Sequence, residues 1–140
     1  MNSETANFSH GGCAAIVKVP RNFRLSENFT IKEFSCPSCD EIYFQPGFVL
    51  LVNKLQALRS RIGKPVTVTS GYRCPEHNRV VGGAKNSLHM LGVAADIFCN
   101  IKYETLLHMC EDEFTHGGIG RYKNHKHVHV DVGPKRRWVV

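Results

Sequence analysis

The segment from residue 127 to residue 132 reads His-Val-His-Val-Asp-Val, a strict alternation of ionisable and branched apolar side chains. Successive side chains on a β-strand point to opposite faces. This pattern therefore predicts a strand whose valines enter a core, while His127, His129 and Asp131 share the other face. Such a face can be a solvated edge, or it can hold a metal ion or move protons. The alternation alone does not choose between these possibilities.

Hydrophobic periodicity places this strand in a mixed domain. We expect helices over residues 46–62, 75–80 and 103–114, a capped helical turn at 30–34, and strands at 14–19, 66–69, 93–98, 119–122 and 127–132. Together they predict an α+β fold with a small, largely antiparallel sheet flanked by helices. We interpret residues 1–27 as an irregular N-terminal arm and residues 28–140 as the folded domain.

The chain of 140 residues carries a net charge of +6 and has a pI near 9.1. A basic surface attracts polyanions such as nucleic acid, anionic wall polymers or membrane surfaces. The sequence shows neither a basic helix face nor an aromatic stripe for stacking bases, so we expect no nucleic-acid partner. No apolar run approaches the roughly 18 residues of a membrane helix, so we expect no membrane insertion. We also expect a monomer.

Six cysteines occur, at positions 13, 36, 39, 74, 99 and 110. They are too sparse for a disulfide scaffold in a chain of this length. Cys36 and Cys39 have the spacing of a zinc knuckle, but no second Cys-x-x-Cys pair follows. A structural zinc there would need Cys74, Cys99 or a histidine from a distant part of the chain. We expect free thiols, with a disulfide and a zinc site as the open alternatives.

A second polar segment precedes the histidine-rich strand and contains His89 and Asp96. Gly92 interrupts it, and the small residue Ala94 lies beside Asp96. Histidine nitrogen and aspartate oxygen suit Zn²⁺, and three protein ligands with one open position are typical of a catalytic zinc site. Together with His129, these residues form a candidate ligand set.

Two motifs together resemble peptidase family M15, the zinc D-Ala-D-Ala carboxypeptidases and related murein peptidases. They are Ser87-x-His89-x-x-Gly92-x-Ala94-x-Asp96 and the later His127-x-His129. Residues 70–73, Ser-Gly-Tyr-Arg, are similar to the segment that precedes the first zinc ligand in that family. The glycine pairs at 82–83 and 117–118 are similar to a subgroup found in bacteriophages and bacteria. The resemblance extends from about Phe29 to Gly133.

This resemblance implies one Zn²⁺ held by His89, Asp96 and His129, in the zinc fold that D,D-peptidases share with Hedgehog domains. It also implies that Arg73 binds substrate and polarises the scissile carbonyl. His127 matches a second active-site histidine suited to moving a proton. Beyond these residues, Ser87 is a candidate contact for substrate or for a ligand. Asp131 is either the general base or, as we prefer, a partner for an imidazole.

The implied function is zinc-dependent hydrolysis of peptidoglycan stem peptides. The enzyme would be either a D,D-carboxypeptidase or an endopeptidase of the phage-lysin type. A non-catalytic zinc-containing binding or assembly module is the alternative. The first twelve residues lack the features of a secretory signal. We therefore expect synthesis in the cytoplasm and action on the cell wall after delivery by a phage or a host.

Overall fold

The computed structural model describes residues 15–18, 20 and 23–140. Its strands are β1 (Ala15–Lys18), β2 (Glu41–Phe44), β3 (Val66–Ser70), β4 (Ala94–Cys99), β5 (Gly118–Arg121), β6 (Val128–Asp131) and β7 (Arg136–Val139). Its helices are α1 (Pro46–Ile62), α2 (Pro75–Val80) and α3 (Tyr103–Glu113), with 3-10 turns at Ile31–Phe34 and Leu88–Leu91. The predicted α+β class is confirmed.

Strand β6 lies at the centre of a five-stranded sheet with the order β3-β4-β6-β5-β7. All neighbours are antiparallel except β5 and β7, which are parallel. In the register between β4 and β6, Asp96 is directly opposite His129. The alternation of β6 has the predicted consequence, because Val128 and Val130 are completely buried in the core.

The long helices cover the apolar face of this sheet. Helix α1 buries an apolar stripe that includes Leu51, Leu55 and Leu58, and it packs against α3. Pro46 occupies its first turn, and Gly63 ends it in the left-handed conformation with φ of 76°, which an L-residue with a side chain rarely adopts. Both α1 and α2 have the predicted bounds. The opposite face of the sheet is left for polar side chains.

Two strands were absent from the prediction. Strand β2 lies in the stretch before α1, where it pairs antiparallel with β1. Strand β7 contains two arginines and pairs with β5 in parallel orientation. The predicted arm 1–27 contributes β1, but residues 1–14, 19 and 21–22 lie outside the described residues. None of the helices in the described part of the chain is long and apolar enough to cross a membrane.

Candidate metal centre

Strands β4 and β6 bring Asp96 and His129 together on the face of the sheet away from the core. The two residues are cross-strand partners, and both are buried. The distance from His129 Nδ1 to Asp96 Oδ1 is 3.3 Å. This contact follows directly from strand register, because opposite residues of an antiparallel pair project to the same side.

His89 reaches the same point from the 3-10 turn Leu88–Leu91. Ser87 caps this turn, since its hydroxyl accepts a hydrogen bond from the His89 N–H at 3.2 Å. Gly92 ends the turn with φ of 73°, and a side chain there would collide with the carbonyl oxygen of Tyr43. His89 Nε2 consequently lies 3.3 Å from Asp96 Oδ1.

Hydrogen bonds on the outer nitrogens fix both imidazoles. His89 Nδ1 lies 2.8 Å from the carbonyl oxygen of Gly71, so this nitrogen donates and Nε2 carries the lone pair. His129 Nε2 lies 2.7 Å from Asp131 Oδ2 and donates to that carboxylate, which leaves Nδ1 with its lone pair. Such outer partners are typical of histidines that ligate a metal. Both free nitrogens face Asp96.

Asp96 Oδ1 is the one buried side-chain oxygen or nitrogen of the described residues without a hydrogen-bond partner. It lies within 4.8 Å of the two facing imidazole nitrogens. Burial acts against the charge of Asp96, but the two imidazoles outweigh burial and hold the pKa of this carboxyl well below its usual range. One carboxylate oxygen and two imidazole lone pairs directed at one point fit Zn²⁺.

The second oxygen of Asp96 is held by two neighbours. The guanidinium of Arg73 places Nη2 3.3 Å from Asp96 Oδ2, and the hydroxyl of Tyr122 donates to the same oxygen at 2.9 Å. Arg73 also donates from Nε to Ser70 Oγ and from Nη1 to Asn78 Oδ1. Arg73 is thus fixed by three partners beside the candidate ligands.

A cleft of about 550 Å³ opens onto these residues. Its lining includes His89, His129, Arg73, Ser87, Tyr122, Arg136, Trp138 and Val140. The ring of Trp138 lies 4.9 Å from the His129 ring, and the guanidinium of Arg136 stacks 4.2 Å from the Trp138 ring centre. The cleft beside the candidate metal ligands is therefore both cationic and aromatic.

The remaining predicted site residues have different positions. Asp131 is completely buried behind His129 and also accepts hydrogen bonds from the N–H groups of Gly118 and Gly133. This geometry favours the preferred interpretation of Asp131 as an imidazole partner. His127 precedes β6 and lies edge-on to the Tyr122 ring at 5.6 Å, and it does not line the cleft.

Sequence reasoning missed Asn78 and Trp138 as site residues. Trp138 lies on β7, a strand that the pattern did not reveal. Asn78 is buried on α2, where its Oδ1 holds Arg73 and its Nδ2 donates to the carbonyl of Ala84. The only sequence signal for Asn78 was its nearness to Arg73 along the chain.

Comparison with known proteins identifies the family to which this chain belongs. A family model described as Peptidase M15 matches residues 27–131, more than half of the chain. The chain belongs to the peptidase M15 family. The resemblance found in the sequence is therefore confirmed.

Two curated relatives are similar to this M15 chain. The zinc D-Ala-D-Ala carboxypeptidase of Streptomyces albus G is 40% identical over 92 residues, which are 61% of this chain and 35% of the relative. The peptidoglycan L,D-endopeptidase MepK of Escherichia coli (strain K12) is 34% identical over 95 residues, 63% of this chain and 52% of the relative. The chain thus covers about a third to a half of the length of these relatives.

Proposed function

We propose that this chain is a zinc-dependent peptidase that hydrolyses peptide bonds in the stem peptides of bacterial peptidoglycan. One observation carries the proposal. The free nitrogens of two buried imidazoles, each fixed by an outer hydrogen bond, face the unpartnered oxygen of Asp96 at the floor of a cleft. Membership in the M15 family supports peptidase chemistry at this point.

His89, Asp96 and His129 would hold the metal ion. The chemistry of their donor atoms fits zinc, and the relative from Streptomyces albus G is named a zinc enzyme. A bound Zn²⁺ supplies Lewis-acid polarisation of a carbonyl and lowers the pKa of water toward 7. The role of Asp131 is to keep His129 in the tautomer whose Nδ1 is free.

Arg73 stabilises negative charge on the substrate. Its guanidinium lies in the cleft beside Asp96, and Ser70 and Asn78 fix its orientation. A donor held in place before the reaction does not have to reorganise when an oxyanion develops, which is why such groups matter to rate. Ser87 lines the same cleft, and its hydroxyl supports His89 by accepting a hydrogen bond from the His89 backbone N–H.

His127 is our proposed proton carrier, acting from beside the Tyr122 ring although it does not line the cleft itself. It contacts the Tyr122 ring, and the Tyr122 hydroxyl donates to Asp96. Burial, followed by the charge of Asp96, raises the pKa of Tyr122, so the phenol stays protonated and serves as a donor. Comparing His127→Ala with Tyr122→Phe tests this role. Loss of one limb of the pH–rate profile only in His127→Ala supports it, and unchanged profiles contradict it.

The substrate class rests on charge and on the names of the relatives. Arg73 and Arg136 place two guanidinium groups at the cleft, which suits the carboxylates of stem peptides. The relatives are named for D-Ala-D-Ala and for peptidoglycan. Cleavage at a terminal D-Ala residue and cleavage within a stem peptide or cross-link are the two forms of the proposal.

The test is incubation of purified stem peptides and cross-linked wall fragments with the protein, followed by mass spectrometry. Release of free D-alanine identifies a carboxypeptidase, and release of larger fragments identifies an endopeptidase. Cleavage should stop with a chelator, return with added zinc and be absent in His89→Ala. Zinc binding without cleavage of any wall peptide would contradict the proposal. It would indicate a non-catalytic binding module, as in the Hedgehog domains that resemble this family in fold.

We also propose that the protein acts as a monomer on the wall after delivery by a phage or a host, as a lysin does. Light scattering during gel filtration tests the monomer. Addition of the protein to bacteria with permeabilised outer layers tests wall lysis. A stable dimer would contradict the first expectation, and intact walls would contradict the second.

A further inference from the structure

A second cluster of metal-binding side chains lies away from the His89 centre. The sulfur atoms of Cys36, Cys39 and Cys74 all lie within 4.8 Å of one another. None of the three forms a disulfide, and Cys36 is completely buried. Residues 36 and 74 are distant in sequence, so the fold itself assembles this cluster.

The loop before β2 folds back to place Cys36 beside Cys39. The N–H of Asp40 donates to the carbonyl oxygen of Cys36, and the N–H of Cys36 donates to that of Glu41, both at 2.8 Å. Asp40 has a φ of 58°, which closes the turn. This tight loop brings the two sulfurs of the Cys-x-x-Cys pair to the same side.

Cys74 joins them from the residue that precedes α2. The segment before it is fixed to the 3-10 turn that leads to Cys36, because the N–H of Tyr72 donates to the carbonyl of Phe34 at 2.8 Å. A side chain at Gly71 would lie 2.6 Å from that carbonyl oxygen, so the two backbones are in direct contact. The approach of Cys74 to Cys36 is therefore built into the backbone.

The surroundings of Cys36 favour a thiolate. Burial raises the pKa of its thiol, but hydrogen bonds from the backbone N–H groups of Cys74, Ser38 and Cys39 outweigh burial and lower the pKa overall. Burial, together with the neighbouring Cys36 sulfur, raises the pKa of Cys39. Three thiols this close cannot all ionise without a cation between them, and thiolates are the ligands of structural zinc.

We propose that Cys36, Cys39 and Cys74 bind one Zn²⁺ as thiolates, forming a structural metal site separate from the His89 centre. The fourth ligand would be His77, which forms a Cys-x-x-His pair with Cys74; its imidazole is not among the atoms that converge in this structure, so binding would require it to rotate toward the sulfurs. His77 is three residues after the cap of α2, and its backbone N–H donates to Cys74 Sγ at 3.4 Å. From that position a side chain can reach back to the cap residue, as in a capping box.

This site would hold Arg73 in position. Arg73 is the residue before Cys74, so the zinc would fix its backbone to the loop at residues 36–40. We expect loss of the cysteine site to lower the turnover of wall peptides while the His89 centre keeps its metal. This consequence rests on the proposed function, whereas metal binding at the cysteines does not.

Metal analysis of the full chain, purified with a reducing agent and saturated with zinc, tests the proposal. The wild type should hold two zinc equivalents after removal of excess metal. Cys39→Ser should keep only the zinc of the His89 centre, and His89→Ala should keep only the zinc of the cysteine site. Cys99→Ala is the matched control, since this buried cysteine lies outside the cluster, and it should keep both.

Cobalt substitution identifies which site is lost. Thiolate-to-cobalt charge-transfer absorption should occur in the wild type and in His89→Ala, and it should be absent in Cys39→Ser. One zinc equivalent in the wild type that disappears completely in His89→Ala would overturn the proposal. So would an undiminished thiolate band in Cys39→Ser.

Alkylation of the wild type provides a measurement that does not depend on any variant folding. Zinc should protect Cys36, Cys39 and Cys74 from alkylation, and a chelator should remove the protection, as peptide mapping would show. Equal alkylation of Cys39 and Cys74 with and without zinc would overturn the proposal. A disulfide between any two of the three in the reduced preparation would also overturn it.

Discussion

Asp131 lies directly behind His129 and accepts a hydrogen bond from its Nε2 at 2.7 Å. The other oxygen of Asp131 accepts from two backbone N–H groups, and Arg136 donates to the oxygen that holds the imidazole. The carboxylate therefore has no exposed atom with which to approach a substrate, and its influence on the cleft passes through His129.

Asp131→Asn should weaken zinc binding at the His89 centre. The asparagine oxygen would keep the two backbone N–H partners, which turns its NH₂ group toward His129 Nε2. That nitrogen would then have to accept, so the proton would move to Nδ1, the nitrogen that faces Asp96. We expect zinc affinity to fall about 10- to 100-fold, measured by competition with a chromophoric chelator. Unchanged affinity would exclude Asp131 as the group that sets this tautomer.

Arg73→Ala should keep zinc at the His89 centre and reduce kcat for wall-peptide hydrolysis by about 10²- to 10³-fold, the usual effect of losing one oxyanion stabiliser. Arg73→Lys should be similarly impaired, because lysine lacks the planar fork that binds Ser70, Asn78 and Asp96 together. Arg79→Ala is the control, since this guanidinium on α2 is largely exposed. Wild-type kcat in Arg73→Ala would remove Arg73 from the mechanism.

Gly83→Ala should disturb the cleft without removing the ligands. A Cβ at residue 83 would collide with the side-chain oxygen of Asn78 and would lie 2.8 Å from Arg73 Nη1. We expect kcat/KM to fall, with zinc content unchanged. The control is Gly63→Ala, because the positive φ of Gly63 would strain an alanine while the space around it is open. It should cost about 1 kcal/mol of stability and leave kcat/KM unaltered; equal activity in the two variants would contradict this account.

The zinc-free chain should lose stability as pH rises above about 6.5. Burial lowers the pKa of His129, but Asp131 and Asp96 outweigh burial and raise it overall. The folded chain then binds this proton more tightly than the unfolded chain. The resulting stability is complete below about pH 6.5, the ordinary imidazole value, and disappears as pH rises through the raised pKa.

Urea denaturation of chelator-treated protein across this pH range would measure the effect. His129→Gln should lack the pH-dependent component. Zinc affinity should change in the opposite direction and increase with pH, because a ligating histidine must be neutral. Stability of the zinc-free wild type that rises with pH, or that matches His129→Gln throughout, would contradict the assignment.

The candidate ligands were predicted mainly from the family motifs, because the local patterns around them were weak evidence by themselves. His129 belongs to an alternating strand, and His89 and Asp96 flank a glycine that ends a turn. Strand register then made Asp96 and His129 neighbours. By contrast, the pairing of Cys74 with Cys36 and Cys39 was one of several alternatives, because it depends on the contact between the Gly71 and Phe34 backbones, and no local pattern reports such a contact.

Strand β7 shows a different limit. Its sequence, Arg-Arg-Trp-Val, lacks alternation and reads as a basic tail. It becomes a strand because β5 offers a free edge and because the Arg137 guanidinium binds Glu111 and the carbonyl of Gly117. These are tertiary contacts across about twenty residues. The positions of Trp138 and Arg136 in the cleft could therefore not be predicted from the sequence.

Val140 lines the cleft and is held there by the hydrogen bond from its N–H to the carbonyl of Arg121. Any residues that follow Val140 would therefore start at the mouth of this cleft. An affinity tag fused directly after Val140 would compete with wall fragments for the cleft, so the tagged enzyme would show low activity. Recombinant versions intended for kinetic work should therefore carry no tag directly after Val140.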